Sequence, residues 1–421
     1  MLRFVPYLII GVITSFYFFP IGFTFLPESV NTKMILAVIG AVFAAYRCIK
    51  EESIKISKGL LIASSIAIIF SLICFISTDV NYTNDYSYAG YIISFFVWLS
   101  GAYAICALIR AVHGSVDFKI VTLYLAGVAF TQCILAMMID NIPAFQQLVD
   151  SVVLQGQDFF QEVDRLYGIG AALDPAGVRF SLILVMIAGL LANDEDIRQN
   201  NIAIAMLLIA FFTIAVVGNA ISRTTILGVV SGVTYFIVSS GLFRLLVKYD
   251  SVRLGILFGG LLLFAIVVSV YLYNSNSAFY NYMRFAFEGF FNWVEKGEWS
   301  TSSTEKLNRE MWIWPEDDKT WLIGTGLFDN FIYGTDIGYC RFILYCGLAG
   351  FSVFASLFVY LGLFFFFQVQ KYRLMFLIFI AMTFVVWIKV ATDIFPIYAL
   401  FFCLDQFIIS APEEISYENS I

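Results

Sequence analysis

The amino-acid sequence predicts an all-α integral membrane protein that crosses the bilayer about twelve times. Hydrophobic residues make up 61% of its 421 residues and charged residues only 13%. Soluble domains are about one half apolar and about one quarter charged. Apolar runs of about 18 or more residues recur along the chain, as transmembrane helices require. Lipid offers no partners for backbone polar groups, so these runs are expected to be helical and to form a single transmembrane domain over 1–421.

Twelve hydrophobic segments define the predicted spans. They comprise residues 4–26, 34–47, 59–77, 88–112, 120–139, 177–193, 202–220, 226–247, 255–273, 338–367, 374–391 and 394–410. The first segment is longer than the core of a signal peptide and lacks an Ala-x-Ala cleavage site, so we expect it to be retained.

Lysine and arginine in the loops predict which side faces the cytoplasm. One side, with the N-terminus, holds thirteen of these residues, whereas the short loops of the other side hold only Lys33, Arg223 and Lys389. The first side is therefore predicted to be cytoplasmic, with both termini and the tail 411–421 inside. The net charge of −7 argues against nucleic acid as a partner.

Two long extracytoplasmic loops are predicted, at 140–176 and 274–337. In the first, apolar residues between Phe145 and Val163 recur at helical spacing, which predicts an amphipathic helix on the membrane surface. The second begins with many aromatic residues, a composition typical of a membrane interface or of a platform for sugar rings. The cytoplasmic loops are short, so we expect the chemistry at the outer face.

Three arginines near the outer boundary are candidate ligands for an anion. Arg165 and Arg179 flank a glycine-rich turn, and Arg223 lies between two spans in "VVGNAISRTTILGVV". Arginine stays charged and binds phosphate through two parallel hydrogen bonds. The structural alternatives are pairing of Arg165 with Glu162 or Asp164, snorkelling of Arg179 to the headgroups, and a buried pair for Arg223.

The large loop adds further charged residues. Arg309 precedes a tryptophan-rich segment, and the acidic residues 316–318 follow Pro315. Such a trio can bind a divalent cation, but consecutive carboxylates in a turn are usually solvated, so no metal site is predicted. Arg284 and Glu288 are four residues apart, which predicts a helical ion pair.

The stretch "IGTGLFDNFIYGTDIGYCRFILYCGLAG" starts as a glycine-rich loop and ends as the tenth span. If the tenth helix starts near Asp336, this carboxylate lies in its first turn and suits the helix dipole, which is the structural alternative to a catalytic role. Arg341 would lie one turn deeper on much the same face. Together with Tyr333 and Tyr339, Arg341 is a candidate for binding a sugar or a diphosphate.

The order of "RLYGIGAALDPAGVRFS", "NAISRTTILG", "NREMW" and "TDIGYCRFILYCGLAG" resembles the O-antigen polymerase family, within the superfamily that also contains the O-antigen ligases. The resemblance covers about 165–350. It implies a membrane-embedded, GT-C-like glycosyltransferase that uses no metal or other cofactor. Its donor would be an oligosaccharide on undecaprenyl diphosphate, held by Arg179, Arg223 and either Arg165 or Arg309.

One departure from the ligase branch favours a polymerase. Ligases place a histidine near the start of the span after the large loop, where this chain has Asp336. Its single histidine, His113, is predicted to be cytoplasmic. Asp336 is therefore the first candidate for the base that deprotonates the acceptor hydroxyl, with Asp174 and Asp329 as weaker ones. Arg223 is the candidate that stabilises the leaving diphosphate.

The resulting expectation is a multi-pass enzyme of the bacterial cytoplasmic (inner) membrane that polymerises O-antigen, capsule or exopolysaccharide. It would transfer the growing glycan from undecaprenyl diphosphate to the terminal sugar of a lipid-linked repeat unit. A chain-length regulator and a flippase are expected partners, besides the bilayer. The alternatives are an O-antigen ligase and a transporter or flippase of the same lipid. A transporter needs charge in mid-span, where Asp405 is the one clear acid.

Overall fold

A computed structural model describes residues 4–52, 56–156, 165–240 and 249–408 of the chain. These residues are almost entirely helical, so the predicted all-α class is confirmed. The predicted tail 411–421 and the end of the predicted surface helix, 157–163, lie outside the described residues.

The helices and the two short strands follow one another along the chain in two parts. The first part comprises α1 (Val5–Phe18), β1 (Gly22–Phe23), α2 (Thr32–Glu51), α3 (Lys58–Val80), α4 (Tyr91–His113), α5 (Phe118–Asn141), α6 (Pro143–Val152), β2 (Val153–Leu154), α7 (Leu173–Asn193), α8 (Glu195–Gln199), α9 (Asn201–Ile221) and α10 (Thr225–Ser239). The second part comprises α11 (Tyr249–Ser275), α12 (Ser277–Ala286), α13 (Glu288–Lys296), α14 (Ser302–Glu310), α15 (Asp318–Ile323), α16 (Gly338–Gln368), α17 (Arg373–Val386), α18 (Phe395–Phe402) and α19 (Asp405–Ile408).

Eight helices in the described ranges are long and apolar enough to cross a membrane: α2, α3, α4, α5, α7, α9, α11 and α16. The chain is therefore a polytopic membrane protein. The other four predicted spans coincide with the shorter helices α1, α10, α17 and α18, of 14, 15, 14 and 8 residues. The number of twelve spans stays a prediction.

Two ion pairs join distant segments at one end of the bundle. At the predicted cytoplasmic end, Lys371 pairs with Asp194 at 2.7 Å. Arg110 pairs with Asp405 at 2.5 Å at the same end. Asp405 is thus not a mid-span acid: α18 ends at Phe402, and Asp405 opens α19 beyond it. The apolar run continues past the end of the helix, so the sequence pattern predicted a position for Asp405 that is too deep in the membrane.

Glycines let α7 and α10 pack in direct backbone contact. Gly228 and Gly232 are four residues apart on one face of α10, a spacing common at transmembrane helix interfaces. A Cβ atom on Gly228 would lie 2.2 Å from the Cα atom of Ser181 on α7. The Ser181 hydroxyl donates to the Thr224 carbonyl at 3.0 Å and accepts from the Gly228 amide at 3.1 Å. These contacts bring the turn before α10 against the start of α7.

The tenth predicted span, α16, is interrupted at Gly347, whose φ of 65° is left-handed. The glycine-rich loop before the helix fills this interruption. The amides of Thr325 and Gly326 donate to the carbonyls of Leu344 and Tyr345 at 2.7 and 2.9 Å. Those carbonyls have no helical partner because of the break, so the loop satisfies them. Residues 338–346 therefore form a separate helical segment, and the rest of α16 continues beyond Gly347.

The predicted surface helix of the first outer loop is shorter than the sequence pattern indicated. It spans Pro143–Val152, and the next residues, Val153–Leu154, pair antiparallel with Gly22–Phe23. The prediction of a continuous helix beyond Val152 was wrong. The β-branched valines at its end favour extended structure, and an unpaired backbone segment lies within reach of them.

Replacement of Gly228 by alanine should lower the thermal stability of the protein. The new methyl group would overlap the backbone of α7, and overpacking of this kind costs about 1–3 kcal/mol. The matched control is Gly259→Ala on α11, where a Cβ would meet nothing within 4 Å. Thermal unfolding in detergent measures both variants. An unchanged melting temperature for Gly228→Ala would contradict the proposed backbone contact.

Candidate functional site

A polar cavity of about 450 Å³ lies at the predicted outer end of the bundle. Three of the predicted site residues, Arg165, Arg223 and Asp336, line it together. Asp174, one of the weaker base candidates, also lines it. The complete lining is Arg165, Leu173, Asp174, Pro175, Ser222, Arg223, Phe285, Ser303, Lys306, Leu307, Met311, Asp336, Lys389 and Val390. Residues that are far apart in the chain thus form one charged chamber.

Asp174, in the first turn of α7, connects three segments at the base of the cavity. Its Oδ1 atom accepts hydrogen bonds from Lys389 at 2.8 Å, Ser222 at 3.0 Å and Thr224 at 2.5 Å. A carboxylate with three donors is strongly stabilised in its charged form, which makes it a poor acceptor of a further proton. Asp174 therefore acts as a structural anion that holds Lys389 at the cavity wall.

Arg223 is held on its two sides by a carboxylate and an aromatic ring. Its guanidinium pairs with Glu288 at 2.5 Å and lies 4.1 Å from the centre of the Phe285 ring. Burial lowers the pKa of Arg223, while the charge of Glu288 raises it. The Nε atom of Arg223 is buried and makes no hydrogen bond within the described part of the chain. The predicted alternative of a buried pair is thus present, and it coexists with a place in the cavity wall.

The backbone before Arg223 is shaped by a π-helical turn, Ile214–Gly218, at the end of α9. Such turns occur frequently at functional sites. Next to it, the side-chain amide of Asn219 donates to the carbonyl of Ala286 at 2.8 Å. This bond fixes α12 against the end of α9, so that Phe285 reaches Arg223. Arg165 approaches the same ring from the first outer loop, at 5.4 Å from its centre.

Asp336 points into the cavity from between two buried residues. Thr335 donates its hydroxyl to the carbonyl of Met311 at 2.6 Å, and Ile337 is fully buried. The Asp336 side chain is only partly exposed and makes no hydrogen bond with any residue in the described ranges. It does not cap α16, which begins at Gly338 without a side-chain cap. The expectation that Asp336 lies in the first turn of that helix was wrong.

The surroundings of Asp336 favour its protonated form. Partial burial raises the pKa of Asp336, and the negative charge of Asp174 raises it further. Arg341, Lys306 and Lys389 act in the opposite direction without cancelling this effect. A carboxyl group with a raised pKa is better matched to proton transfer near neutral pH than an ordinary aspartate.

Arg341 does not pair with Asp336, although the sequence suggested that the two share a helix face. Its guanidinium lies 3.8 Å from the centre of the Phe328 ring and donates to the Phe328 carbonyl at 2.9 Å. The pairing fails because Asp336 precedes the helix and so has no helical relation to Arg341. Arg341 instead holds the loop that leads to Asp329.

The two predicted tyrosines and Arg309 do not line the cavity. Tyr333 contacts Thr325 through its hydroxyl at 2.5 Å, and Tyr339 donates to the carbonyl of Phe384 at 2.8 Å. Both hydroxyls thus serve packing. Arg309 is exposed in the last turn of α14. The cavity-lining residues of that helix, Ser303, Lys306 and Leu307, lie on one face of it.

Arg179 belongs to a second group of charges, separate from the cavity. It lies five residues beyond Asp174 on α7, about 7.5 Å deeper along the helix. Three aromatic rings surround it, those of Phe18, Phe19 and Trp98, with centres 5.8 to 6.0 Å away. Lys33 lies 4.7 Å from the same Trp98 ring. Arg179 also interacts electrostatically with Asp393, in the loop before α18.

Sequence reasoning missed Lys389, Lys306 and Glu288. Lys389 had a usable signal, since it is one of three cations in the predicted short outer loops. Glu288 was expected to pair with Arg284, but Arg284 pairs with Glu295 instead. The reason is the break between α12 and α13 at Phe287, which ends the regular helical spacing. Lys306 had no signal in the sequence.

Of the acidic residues 316–318, Asp317 has a structural role. Asp317 caps α15 by accepting from the Thr320 amide at 2.9 Å and from its hydroxyl at 2.6 Å. Within the described ranges, no cluster of three or more His, Cys, Asp or Glu side chains could hold a metal ion.

Replacement of Asp336 by alanine should leave the protein at least as stable at about pH 7. The folded state raises the pKa of this carboxyl, so it retains a proton that the unfolded chain has already lost. Stability therefore falls as pH rises from the ordinary aspartate pKa to the raised one, and the variant lacks this decline. Asp317→Ala is the matched control, since removal of a real cap costs about 1 kcal/mol. A similar loss in Asp336→Ala would identify Asp336 as a structural residue.

Comparison with known proteins assigns no family to the chain. The chain matches no protein-family model, no curated protein and no solved structure.

Proposed function

We propose that the chain is a polysaccharide polymerase that acts on lipid-linked oligosaccharides at the outer face of the bacterial cytoplasmic membrane. One observation carries this proposal. Four cations, Arg165, Arg223, Lys306 and Lys389, surround a carboxylate, Asp336, that has no hydrogen-bond partner in the described part of the chain. This combination suits a reaction in which an anion leaves and a hydroxyl loses its proton.

The cations are the proposed site of the undecaprenyl diphosphate. Arg165 and Arg223 share the Phe285 ring, which keeps the two guanidinium groups close in spite of their like charge. A diphosphate between them would relieve that repulsion. Lys389 pairs with Asp174 and Arg223 with Glu288, and the four cations still outnumber these two carboxylates together with Asp336. A local excess of positive charge of this kind attracts anions. The proposed diphosphate site leaves out Arg179, Arg309 and Arg341, which do not line the cavity.

Asp336 is the proposed general base. It would take the proton of the acceptor sugar hydroxyl while that oxygen attacks the anomeric carbon of the donor glycan. The bond between this carbon and the diphosphate oxygen breaks, and its electron pair leaves with undecaprenyl diphosphate. Arg223 and its neighbouring cations stabilise the charge that develops on the leaving group. Asp174, held by three donors, is not the base in this scheme.

A row of tryptophans beside the cavity supports a glycan substrate. Trp312 directly follows the cavity residue Met311, and its ring centre lies 5.6 Å from that of Trp314. Trp314 stacks on Trp321 at 5.8 Å. Trp312 and Trp314 are each 40% exposed, so their rings remain open to a ligand. Sugar rings present C–H bonds that pack on aromatic faces, and the row would guide the chain away from the cavity.

Deletion of the gene in the native host should leave surface glycan that carries a single repeat unit. Arg223→Ala should reproduce this loss with the protein still in the membrane, because the diphosphate loses a cation. Arg284→Ala is the matched control: it also removes an ion-paired outer-loop arginine, but one outside the cavity. Gel electrophoresis of the surface glycan, with immunoblotting of the membrane fraction, measures chain length and protein level.

Three outcomes would contradict the polymerase. Long chains in the deletion strain would mean that another enzyme polymerises them. Long chains that stay on the lipid carrier would indicate a ligase. Loss of all glycan from the outer face would indicate a transporter or flippase.

Lys306→Met should shift the acidic limb of the pH–rate profile to higher pH. The Lys306 charge lowers the pKa of Asp336, so its removal raises that pKa further and protonates the base at a higher pH. The control is Lys296→Met, on an exposed outer-loop lysine that does not line the cavity. Polymerisation of purified lipid-linked repeat units between about pH 5 and pH 9 provides the profile. An unmoved acidic limb would remove Asp336 from the role of base.

A further inference from the structure

A groove of about 740 Å³ runs along the outside of the bundle between α1 and α5. Its walls are mostly apolar, and polar side chains occur mainly at its two ends. Tyr7, His113 and Tyr124 lie at the predicted cytoplasmic end, and Ser15 and Gln132 lie at the other end. No step of the proposed reaction uses this groove.

The groove is longer than one leaflet of a bilayer. On α5 its lining extends from Ile120 to Leu135, fifteen positions that rise about 22 Å at 1.5 Å per residue. The hydrocarbon core is about 30 Å thick, so one leaflet accounts for about 15 Å. A chain that fills the groove therefore passes the midplane of the membrane.

Two glycines keep the middle of the groove open. Gly11 of α1 and Gly127 of α5 both line it, and a Cβ atom on either would meet nothing within 4 Å. Elsewhere in the bundle, glycines such as Gly228 allow helices to touch, and a Cβ there would collide with the neighbour. Gly11 and Gly127 instead leave an unfilled channel.

The outer end of the groove adjoins the loop that supplies Arg165 to the cavity. The Ile169 carbonyl and amide bond to the Gln132 side chain at 2.8 and 2.9 Å, and Gln132 also donates to Ser15 at 2.9 Å. Ile169 lines the groove, and Arg165, four residues earlier, lines the cavity. Four extended residues span at most about 14 Å, so the backbone at Arg165 lies within that distance of Ile169 at the end of the groove.

We infer that this groove holds the isoprenoid chain of the lipid-linked substrate while its diphosphate occupies the cavity. The inference rests on the proposed function and adds the place of the lipid tail. An undecaprenyl chain has eleven isoprene units and extends past one leaflet, whereas a phospholipid acyl chain ends near the midplane. Its methyl branches need width, which Gly11 and Gly127 provide. Because the bilayer is as apolar as the groove, the binding free energy of the tail comes from packing against the groove wall.

Gly127→Phe tests the inference by filling the groove with a ring. In purified protein reconstituted in nanodiscs, it should weaken the binding of undecaprenyl diphosphate about tenfold, because the ring would take the space of the isoprenoid chain and remove its packing contacts. It should leave the binding of geranyl diphosphate unchanged, because that ten-carbon chain is too short to reach Gly127. Gly259→Phe is the matched control on α11, also open to lipid and outside the groove, and it should change neither affinity.

Arg223→Ala separates the two proposals, since it should weaken both diphosphates equally by removing a headgroup contact. Equal affinities for all variants would overturn the cavity assignment together with the proposed function. A normal response to Arg223→Ala with no effect of Gly127→Phe would overturn the groove alone. Equal weakening of both ligands by Gly127→Phe would also overturn it, because the chain length would then not matter.

Photocrosslinking provides a second measurement that does not depend on affinity. A photoreactive residue in place of Leu123, near the predicted cytoplasmic end of the groove, should capture undecaprenyl diphosphate. The same residue in place of Leu263, an exposed position on α11, should not. Capture of phospholipid alone at position 123 would overturn the inference.

Discussion

The ion pair between Lys389 and Asp174 is the contact on which the outer end of the protein depends. It joins the start of α7 to the loop between α17 and α18, and Ser222 and Thr224 bring in a third segment through the same carboxylate oxygen. Without Lys389, a partly buried Asp174 would lack a counter-charge, and three loops would lose their common anchor. With it, Arg223 is carried to the cavity wall, because it lies between the two hydroxyl donors.

Irregular backbone is concentrated where it serves the cavity. The π turn Ile214–Gly218 and the break at Gly347 both lie near the outer end of the bundle, away from the lipid-facing midspans. Non-helical backbone at membrane depth is tolerated where protein or a water-filled cavity surrounds it. The glycine-rich loop at Gly324 and Gly326 meets this requirement by bonding to the carbonyls freed at the break. The helical segment 338–346 then packs in the core, and Asp336, just before it, is presented from between buried neighbours.

The distribution of charge connects the fold with the proposed chemistry. The positive-inside rule predicts few cations in outer loops, so each cation in the predicted short outer loops requires a structural or functional explanation. Arg223 and Lys389 line the cavity, and Lys33 faces Trp98 beside Arg179. All three thus belong to charge clusters at the outer end. The cavity cluster has an open carboxylate and aromatic neighbours, whereas the deeper one is enclosed by rings, which is why the first is proposed as the reaction site.

The sequence by itself determined the helical membrane class, and it predicted the order of the spans and an outer-end location for Arg165, Arg223 and Asp336. Hydropathy and loop charge suffice for these features because each depends on local composition and on the cost of burying polar groups in lipid. Which side chains meet was decided only by the tertiary structure. Glu288 pairs with Arg223 and not with its helical neighbour because a helix break at Phe287 redirects it. Arg179 was expected beside Arg223, but α7 places it deeper in the bundle. This difference in depth depends on how the helices pack, which no local sequence pattern encodes.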